Sequence, residues 1–150
     1  KIITQALDKA ALLIEFEDII INNKINFIEE EIDLYNLFKD IKNHRKFNIK
    51  IATEKNIKIT SDLNYFEKSI VQILNFFSNN NLKINFMQNK LIFSGLKSNF
   101  KIPLEKTHKF LLENSDISNR ELKYQIALKI LKKLGFEIKY IKDELYIKKI

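Results

Sequence analysis

The sequence predicts an α+β fold: a two-layer α/β sandwich in which helices cover one face of a mixed, mostly antiparallel sheet. Three observations predict it. Apolar residues recur every three or four positions between Asp62 and Asn81, as in an amphipathic helix. Segments of alternating apolar and polar residues are joined in pairs by short polar turns, as in β-hairpins. A second amphipathic stretch after Ser118 predicts another long helix.

Residues 1–21 predict a helix whose apolar surface is wider than one helix face. One stripe contains Ile3, Ala6, Ala10, Leu13 and Ile20, and a second set broadens it, namely Leu7, Ala11, Ile14 and Ile21. A helix with apolar residues over so much of its circumference needs two packing partners. We therefore expect it to pack on its own domain and on another helix, across a dimer or bundle contact.

The next elements lead to the central helix. Residues 25–32 alternate loosely, which predicts a strand at a sheet edge with its acidic side chains in solvent rather than around a metal ion. Asp33 is a predicted N-cap for a helix whose core face is Leu34, Leu37, Phe38 and Ile41. Residues 47–59 predict a hairpin that turns at 53–56. Asp62 then caps the central helix, which we expect to end in the run 79–81 and to bury Phe66, Ile70, Ile73, Leu74 and Phe77.

Two further hairpins and two helices complete the chain. A turn at Gln88-Asn89 would place Leu82, Ile84, Phe86, Leu91 and Phe93 on one face, and a turn at Lys142-Asp143 would do so for Phe136, Ile138, Tyr140, Leu145 and Ile147. Pro103 is expected to open a short helix with Leu104 and Leu111 facing inwards. Ser118 and Glu121 form a predicted capping box for a helix that buries Leu122, Ile126, Ile130 and Leu134 and ends at Gly135.

The composition limits the possible functions. The 45% hydrophobic fraction is typical of a packed globular protein, and no apolar run approaches the roughly 20 residues of a membrane span. The chain contains no Cys, which excludes disulfides and thiolate chemistry and is consistent with a cytoplasmic location. It contains only two Gly, so a glycine-rich phosphate loop is not expected. The sequence lacks an initial Met, and we expect it to be a piece of a longer protein.

The net charge of +7 raises the question of nucleic-acid binding. No run of basic residues alternates with aromatic residues, so we expect no nucleic-acid partner. His44 and His108 are isolated in the sequence and lie outside the apolar stripes, which predicts two surface side chains. We therefore predict no catalytic residue and no metal site within this chain.

The order of elements resembles the C-terminal part of sensor histidine kinases over nearly the whole chain. The segment from Asp62 to Asn79 is similar to their D…L…vL.NLL.NA helix, IPLEKTHKFLLEN to their IP.e.l..iFe.F segment, and LKYQIALKILKKLGFEIKY to their L.LaIvkkivelhGGeI helix and strand. The resemblance implies the end of a dimerisation helix over residues 1–23 and an ATPase-like domain over residues 24–150. It also implies a homodimer through the N-terminal helix and a response regulator as partner. Any phosphoacceptor His of the family would precede Lys1.

The sequence differs from the family pattern at the positions that would bind ATP. An ungapped count from Asp62 places Gln72 and Phe76 at the two positions where the family has Mg²⁺-holding Asn, whereas a three-residue shift would place Asn75 and Asn79 there. We prefer the ungapped count because it keeps the apolar face of the helix in register. The adenine-reading Asp would correspond to Ser94 or Gly95, and the glycines of the ATP lid to Glu121 and Lys123.

Three functions follow from the resemblance. We favour a degenerate, regulatory module of a two-component signalling protein that binds no cofactor and acts by dimerisation and partner contact. The first alternative is a divergent but working kinase domain that binds Mg-ATP. The second is an ATP-independent histidine phosphotransferase. The location is expected to be cytoplasmic, including the cytoplasmic part of a membrane-anchored sensor.

Overall fold

The computed structural model describes residues 2–24, 26–77, 81–95, 102–113 and 116–150. The helices are α1 (Ile2–Phe16), which continues into a π-helical turn (Glu17–Ile21), α2 (Leu34–Arg45), α3 (Leu63–Phe76), α4 (His108–Glu113) and α5 (Asn119–Lys133). The strands are β1 (Glu30–Asp33), β2 (Ile49–Ile51), β3 (Lys58–Ser61), β4 (Leu82–Met87), β5 (Lys90–Ser94), β6 (Phe136–Ile141) and β7 (Glu144–Lys149).

Five strands form the main sheet in the order β2-β4-β5-β7-β6. Every pairing in this sheet is antiparallel except β2 with β4, which is parallel. The core lies between the sheet and the helices, where Phe38 of α2 and Phe93 of β5 meet edge to face with ring centroids 6.3 Å apart. The predicted two-layer α+β sandwich with a mostly antiparallel sheet is therefore confirmed.

Two hairpins of the sheet turn where the sequence predicted. Gln88, Asn89, Lys142 and Asp143 all have positive φ, as the two central residues of a type I′ turn require. In the first hairpin Phe86 lies opposite Leu91, and in the second Ile138 lies opposite Ile147. Tyr140 was expected on the buried face, but it lies near the tip of its hairpin and is 40% exposed.

The hairpin predicted over residues 47–59 is wrong. Ile49 of β2 pairs in parallel with Leu82 of β4, whereas Ile59 of β3 pairs with Ile32 of β1 in a separate two-stranded sheet. The alternation of apolar residues fits both arrangements, because it fixes which side chains share a face and not which strand is the neighbour. The strand predicted over residues 25–32 is correspondingly shorter and belongs to this small sheet rather than to an edge of the main one.

The predicted helix caps are present in the structure. Asp33, Asp62 and Ser118 each accept a hydrogen bond from the backbone N–H three residues on, at 3.1, 3.0 and 3.1 Å. Gly135 follows α5 with φ of +93°, as the sequence indicated. The helix α3 ends at Phe76, before the run 79–81 where the sequence predicted its end. Residues 79 and 80 lie outside the described residues.

The helix expected at Pro103 begins five residues later. Thr107 caps α4 by accepting from the N–H of Phe110 at 3.1 Å, and residues 102–107 form neither helix nor strand. Leu111 is buried as expected, but Leu104 is 82% exposed because it precedes the helix. The first helical position tolerates Pro, but a helix also needs a cap and a buried face, which Thr107 and Leu111 supply.

The first helix packs on its own domain through one side only. Phe16, Ile19 and Ile20 are buried, and α1 and its π-helical turn contact α5. On the other side Ile3, Leu7 and Ile14 are 75%, 65% and 62% exposed. Within the described ranges, no helix is both long enough and apolar enough to cross a membrane.

Candidate functional site

The candidate site lies where α3 packs against α5. The two helices run antiparallel, because the C-terminal Phe76 of α3 lies beside Arg120 and Tyr124 near the start of α5. Asp62 fixes the start of α3, since its buried carboxylate accepts from the N–H of Tyr65 and also from the N–H of Ile28, at 3.0 and 2.8 Å. These contacts set which side of α3 faces α5.

Aromatic side chains fill the contact between the two helices. The rings of Phe76 and Tyr124 are stacked, with centroids 4.3 Å apart and planes inclined by 16°. Phe77 meets both rings edge to face, at 5.4 Å from Phe76 and 5.8 Å from Tyr124. Tyr124 is 2% exposed, and its burial raises the pKa of the phenol well above the usual value. The cluster is therefore an apolar, uncharged contact at neutral pH.

Arg120 closes this cluster at its outer side. Its guanidinium lies over the ring of Phe76, 5.4 Å from the centroid, and one of its nitrogens donates to the carbonyl oxygen of Phe76. A cation at this place stabilises the C-terminus of α3, where carbonyl groups lack helical partners. The end of α3 is thus held by an aromatic stack on one side and by a cation on the other.

Gln72 and Phe76, which the ungapped count places at the two Mg²⁺-holding positions of the family, differ in their surroundings. Gln72 is half-buried and Phe76 is buried, with 8% exposure. Gln72 and Lys123 line the same small cavity of about 30 Å³, together with Ser69 and Leu12. Ser69 is 1% exposed, and its hydroxyl has no hydrogen-bond partner among the described atoms.

The alternative positions, reached by the three-residue shift, give less information. Asn75 is exposed on α3, and Asn79 lies outside the described residues. The side chain of Asn75 is thus on the opposite side of the helix from Ile73 and Leu74, which are buried. These two residues belong to the apolar face that the ungapped count keeps in register. The structure therefore brings Gln72 together with Lys123, and Phe76 together with Tyr124, across the α3–α5 contact.

Ser94 and Gly95 lie at the end of β5, beside the start of β4. The hydroxyl of Ser94 donates to the carbonyl oxygen of Lys83 at 3.4 Å. Gly95 has φ of +88°, and a Cβ added there would come within 2.4 Å of the carbonyl oxygen of Asn81. Any side chain at position 95 would therefore need the backbone of Asn81 to move.

Glu121 lies in the first turn of α5, where its N–H donates to the hydroxyl of Ser118. A carboxylate in the first turn of a helix is favoured by the positive end of the helix dipole. The position thus has a structural role in starting α5, which places Tyr124 against Phe76.

The two residues that complete this site, Arg120 and Tyr124, were not predicted from the sequence. We assigned one apolar stripe to α5, but the helix also buries Tyr124, Gln125, Ala127, Leu128 and Leu131. These residues are buried because α1, α3 and the segment 102–107 all pack around α5. The signal available was the segment YQIALKIL, in which six of eight residues are apolar, more than one stripe contains. Over the ranges that the structure covers, no three acidic or His side chains lie close enough to hold a metal ion.

Comparison with known proteins relates the fold of the chain to that of one class of domain. No protein-family profile matches the chain, and no curated protein sequence matches it. Among solved structures, histidine kinase AdeS of Acinetobacter baumannii is similar with a TM-score of 0.59 and 12% identity, over 97% of this chain and 76% of that chain. The cytoplasmic segment of histidine kinase QseC gives 0.53 and 11%, over 95% and 89%.

The catalytic domain of histidine kinase ThkA is similar with a TM-score of 0.50 and 17% identity, over 81% of this chain and 94% of that chain. The match to this isolated domain and the matches to longer kinase segments agree with the resemblance that the sequence predicted. At these identities the likeness concerns the fold, which is that of the ATP-binding, catalytic domain of histidine kinases.

Proposed function

We propose that this chain is a degenerate histidine-kinase-type module of a two-component signalling protein, which binds no ATP and acts through its contacts with other proteins. The observation that carries the proposal is the stack of Phe76 on Tyr124, at the position where the resemblance expects a Mg²⁺-holding Asn.

The residues at the metal positions do not fit Mg²⁺. Mg²⁺ takes oxygen ligands in an octahedral arrangement, and it usually keeps several waters. Phe76 offers no oxygen from its side chain, and its ring is packed between Tyr124 and the guanidinium of Arg120. The positive charge of Arg120 beside the position also disfavours a cation. Gln72 alone offers an amide oxygen, which is too little for a metal site.

The position of the adenine-reading carboxylate also lacks the group required. The hydroxyl of Ser94 is a weaker and less directional acceptor than a carboxylate, and it faces the carbonyl of Lys83. Gly95 cannot be replaced by an acidic residue without moving Asn81. An exocyclic amine of adenine would therefore lose its hydrogen bonds to water without an equivalent partner.

The lid positions disfavour phosphates for a further reason. Glu121 places a carboxylate in the first turn of α5, where a phosphate would otherwise be favoured by the free amides. The N–H of Glu121 is already bonded to Ser118. Lys123 is exposed, and a single exposed cation contributes little in high dielectric.

The exposed side of α1 supports an action through protein contacts. Ile3, Leu7, Ala10 and Ile14 are exposed and follow one another at spacings of four, three and four residues. This is the spacing of the seam of a coiled coil. A second copy of the chain could bury this stripe in a two-fold helix pair. The partner expected for such a dimer is a response regulator, as in two-component systems.

Isothermal titration of the chain with Mg-ATP tests the proposal, with a working histidine kinase catalytic domain as positive control. We expect no binding at or below a dissociation constant of roughly 100 μM, because that affinity requires about 5.5 kcal/mol. Binding at or below this value would exclude the degenerate module and favour the kinase alternative. Transfer of phosphate from a phosphorylated regulator to a longer chain with its upstream helix, without ATP, would instead favour the phosphotransferase.

A further inference from the structure

A basic groove lies at the β2 edge of the main sheet. It has a volume of about 680 Å³ and runs between the exposed side of α2 and the strand β2. Lys39 and Lys42 of α2 line one wall, and Lys50 of β2 and Lys83 of β4 line the other. We call it the β2 groove.

The charges in the β2 groove are not balanced within the domain. None of the four lysines forms an ion pair with any residue in the described ranges, although other lysines, such as Lys24, Lys58 and Lys68, do. The described lining contains no carboxylate. Lys50 and Lys83 are direct neighbours in the register of β2 and β4, so that two like charges lie side by side. Such a pair is unfavourable unless an anion lies between or above the two ammonium groups.

The same groove contains an unpaired strand edge. Among the described strands, β2 pairs with β4 alone. The N–H of Ala52 donates to the carbonyl of Ile84 at 2.8 Å, so the backbone of Ala52 faces β4. Because successive residues of a strand direct their N–H groups to opposite sides, the N–H and C=O of Ile51 face the free edge.

Edge lysines also occur simply to prevent aggregation between sheets. That explanation accounts for Lys50, which lies on the edge strand itself. It does not account for Lys83, which lies on the interior strand β4, or for Lys39 and Lys42, which come from a helix. The lysines converge on the edge from both walls, and this arrangement suits a negatively charged ligand that lies along it.

We propose that the β2 groove binds an extended, acidic segment of a partner protein, which adds to the main sheet as a strand beside β2. Its backbone would pair with the edge at Ile51, and its carboxylates would lie against the four lysines. RNA fits less well, because the lining contains no Arg and because the ring of Tyr35 already carries the ammonium of Lys55, 5.6 Å from its centroid. The proposal is independent of whether the domain binds ATP.

Fluorescence anisotropy with a labelled peptide of alternating Asp and Val tests the proposal. We expect binding that weakens as salt rises, because the lysines are exposed. The double substitution Lys50→Glu and Lys83→Glu is expected to lower the affinity by at least about tenfold. Lys109→Glu with Lys133→Glu changes the net charge equally at exposed positions of α4 and α5 and should leave the affinity within about twofold.

Two further arms separate strand addition from simple attraction between charges. A peptide of the same sequence with alternate backbone amides methylated keeps its charge but cannot pair with β2, so we expect it to bind at least about tenfold more weakly. If the variant with Lys50→Glu and Lys83→Glu unfolds, Lys39→Glu with Lys42→Glu on α2 replaces it. Equal losses in the groove and control variants, equal binding of the methylated peptide, or tighter binding of single-stranded RNA of the same charge would each overturn the proposal.

Discussion

The backbone N–H of Lys106 donates to the side-chain oxygen of Gln125, 2.9 Å away, although Gln125 is fully buried. The amide nitrogen of the same side chain donates to the carbonyl of Leu104, also at 2.9 Å. One side chain of α5 thus forms hydrogen bonds with two backbone groups of the segment 102–107. The segment has no strand partner of its own within the described chain. Gln125 therefore provides hydrogen-bond partners for two partly buried backbone groups of this segment.

Replacement of this side chain should loosen the segment. Gln125→Leu keeps most of the volume but leaves both backbone groups unpaired, which should lower the free energy of unfolding by about 1–3 kcal/mol. Amide exchange at Lys106 should become faster. Glu105→Gln is the control, because Glu105 holds the same segment through partly exposed ion pairs with Lys129 and Lys132. That change should cost less than about 1 kcal/mol; an equal loss in both variants would contradict the role of Gln125.

The aromatic contact between α3 and α5 should matter for stability. Phe76→Ala removes a buried ring from between Tyr124 and Arg120, and we expect a loss of about 3–5 kcal/mol in a urea titration. Asn75→Ala, at the exposed neighbouring position, should change the free energy of unfolding by no more than about 0.5 kcal/mol. Similar losses of stability in the two variants would contradict the assignment of Phe76 to the core and Asn75 to the surface.

Self-association through α1 can be tested without disturbing the core. Removal of residues 1–21 would expose the surface that Phe16, Ile19 and Ile20 cover, so substitutions on the outer stripe are the better test. Leu7→Glu with Ile14→Glu should convert a dimer into a monomer in sedimentation velocity, because it places charges in the predicted seam.

Thr4→Glu with Gln5→Glu is the matched control for this experiment, since both residues are exposed and belong to neither apolar set of α1. This variant should remain dimeric and have an unchanged circular dichroism spectrum. A wild-type chain that sediments as a monomer at all concentrations would contradict the use of α1 as a dimer contact.

Acid should destabilise the domain through His108. Its ring meets Phe16 edge to face, with centroids 5.3 Å apart. Burial and the charges of Lys129 and Lys133 lower the pKa of His108 from 6.5, although Glu105 acts in the opposite direction. Since the unfolded chain then binds the proton more readily, stability falls as the pH drops below about 6.5 towards the folded pKa.

His108→Phe preserves the ring contact with Phe16 and removes the titrating group. In urea titrations between about pH 7.5 and pH 5.5, the variant should lose less stability on acidification than the wild type. An identical dependence on pH in the two proteins would show that His108 does not contribute.

Local signals predicted the elements whose structure is determined locally. Gln88-Asn89 and Lys142-Asp143 are pairs of polar residues between alternating segments, and each tolerates the positive φ that the turn needs. Asp33, Asp62 and Ser118 have short polar side chains directly before amphipathic stretches, and each caps its helix. In these cases the contacts that decide the structure lie within four residues of one another.

Longer-range contacts could not be predicted in the same way. The strand β2 was expected to pair with β3, ten residues away, and pairs instead with β4 beyond the whole of α3. At the candidate site, Phe76 was recognised as a substituted position, but its stack with Tyr124 joins residues 48 positions apart. The spacing of apolar residues along one helix does not indicate which residue of another helix will contact them.

The parallel pairing of β2 with β4 has a consequence for the order of folding. The hairpins β4–β5 and β6–β7 close over two-residue turns, and such loops form early because little chain entropy is lost. The pairing of β2 instead encloses the chain from Ile51 to Leu82, including all of α3, and gains only three residue pairs. It should therefore form late and open first in native-state hydrogen exchange, so that the edge of the sheet is the first part of it to become available to another chain.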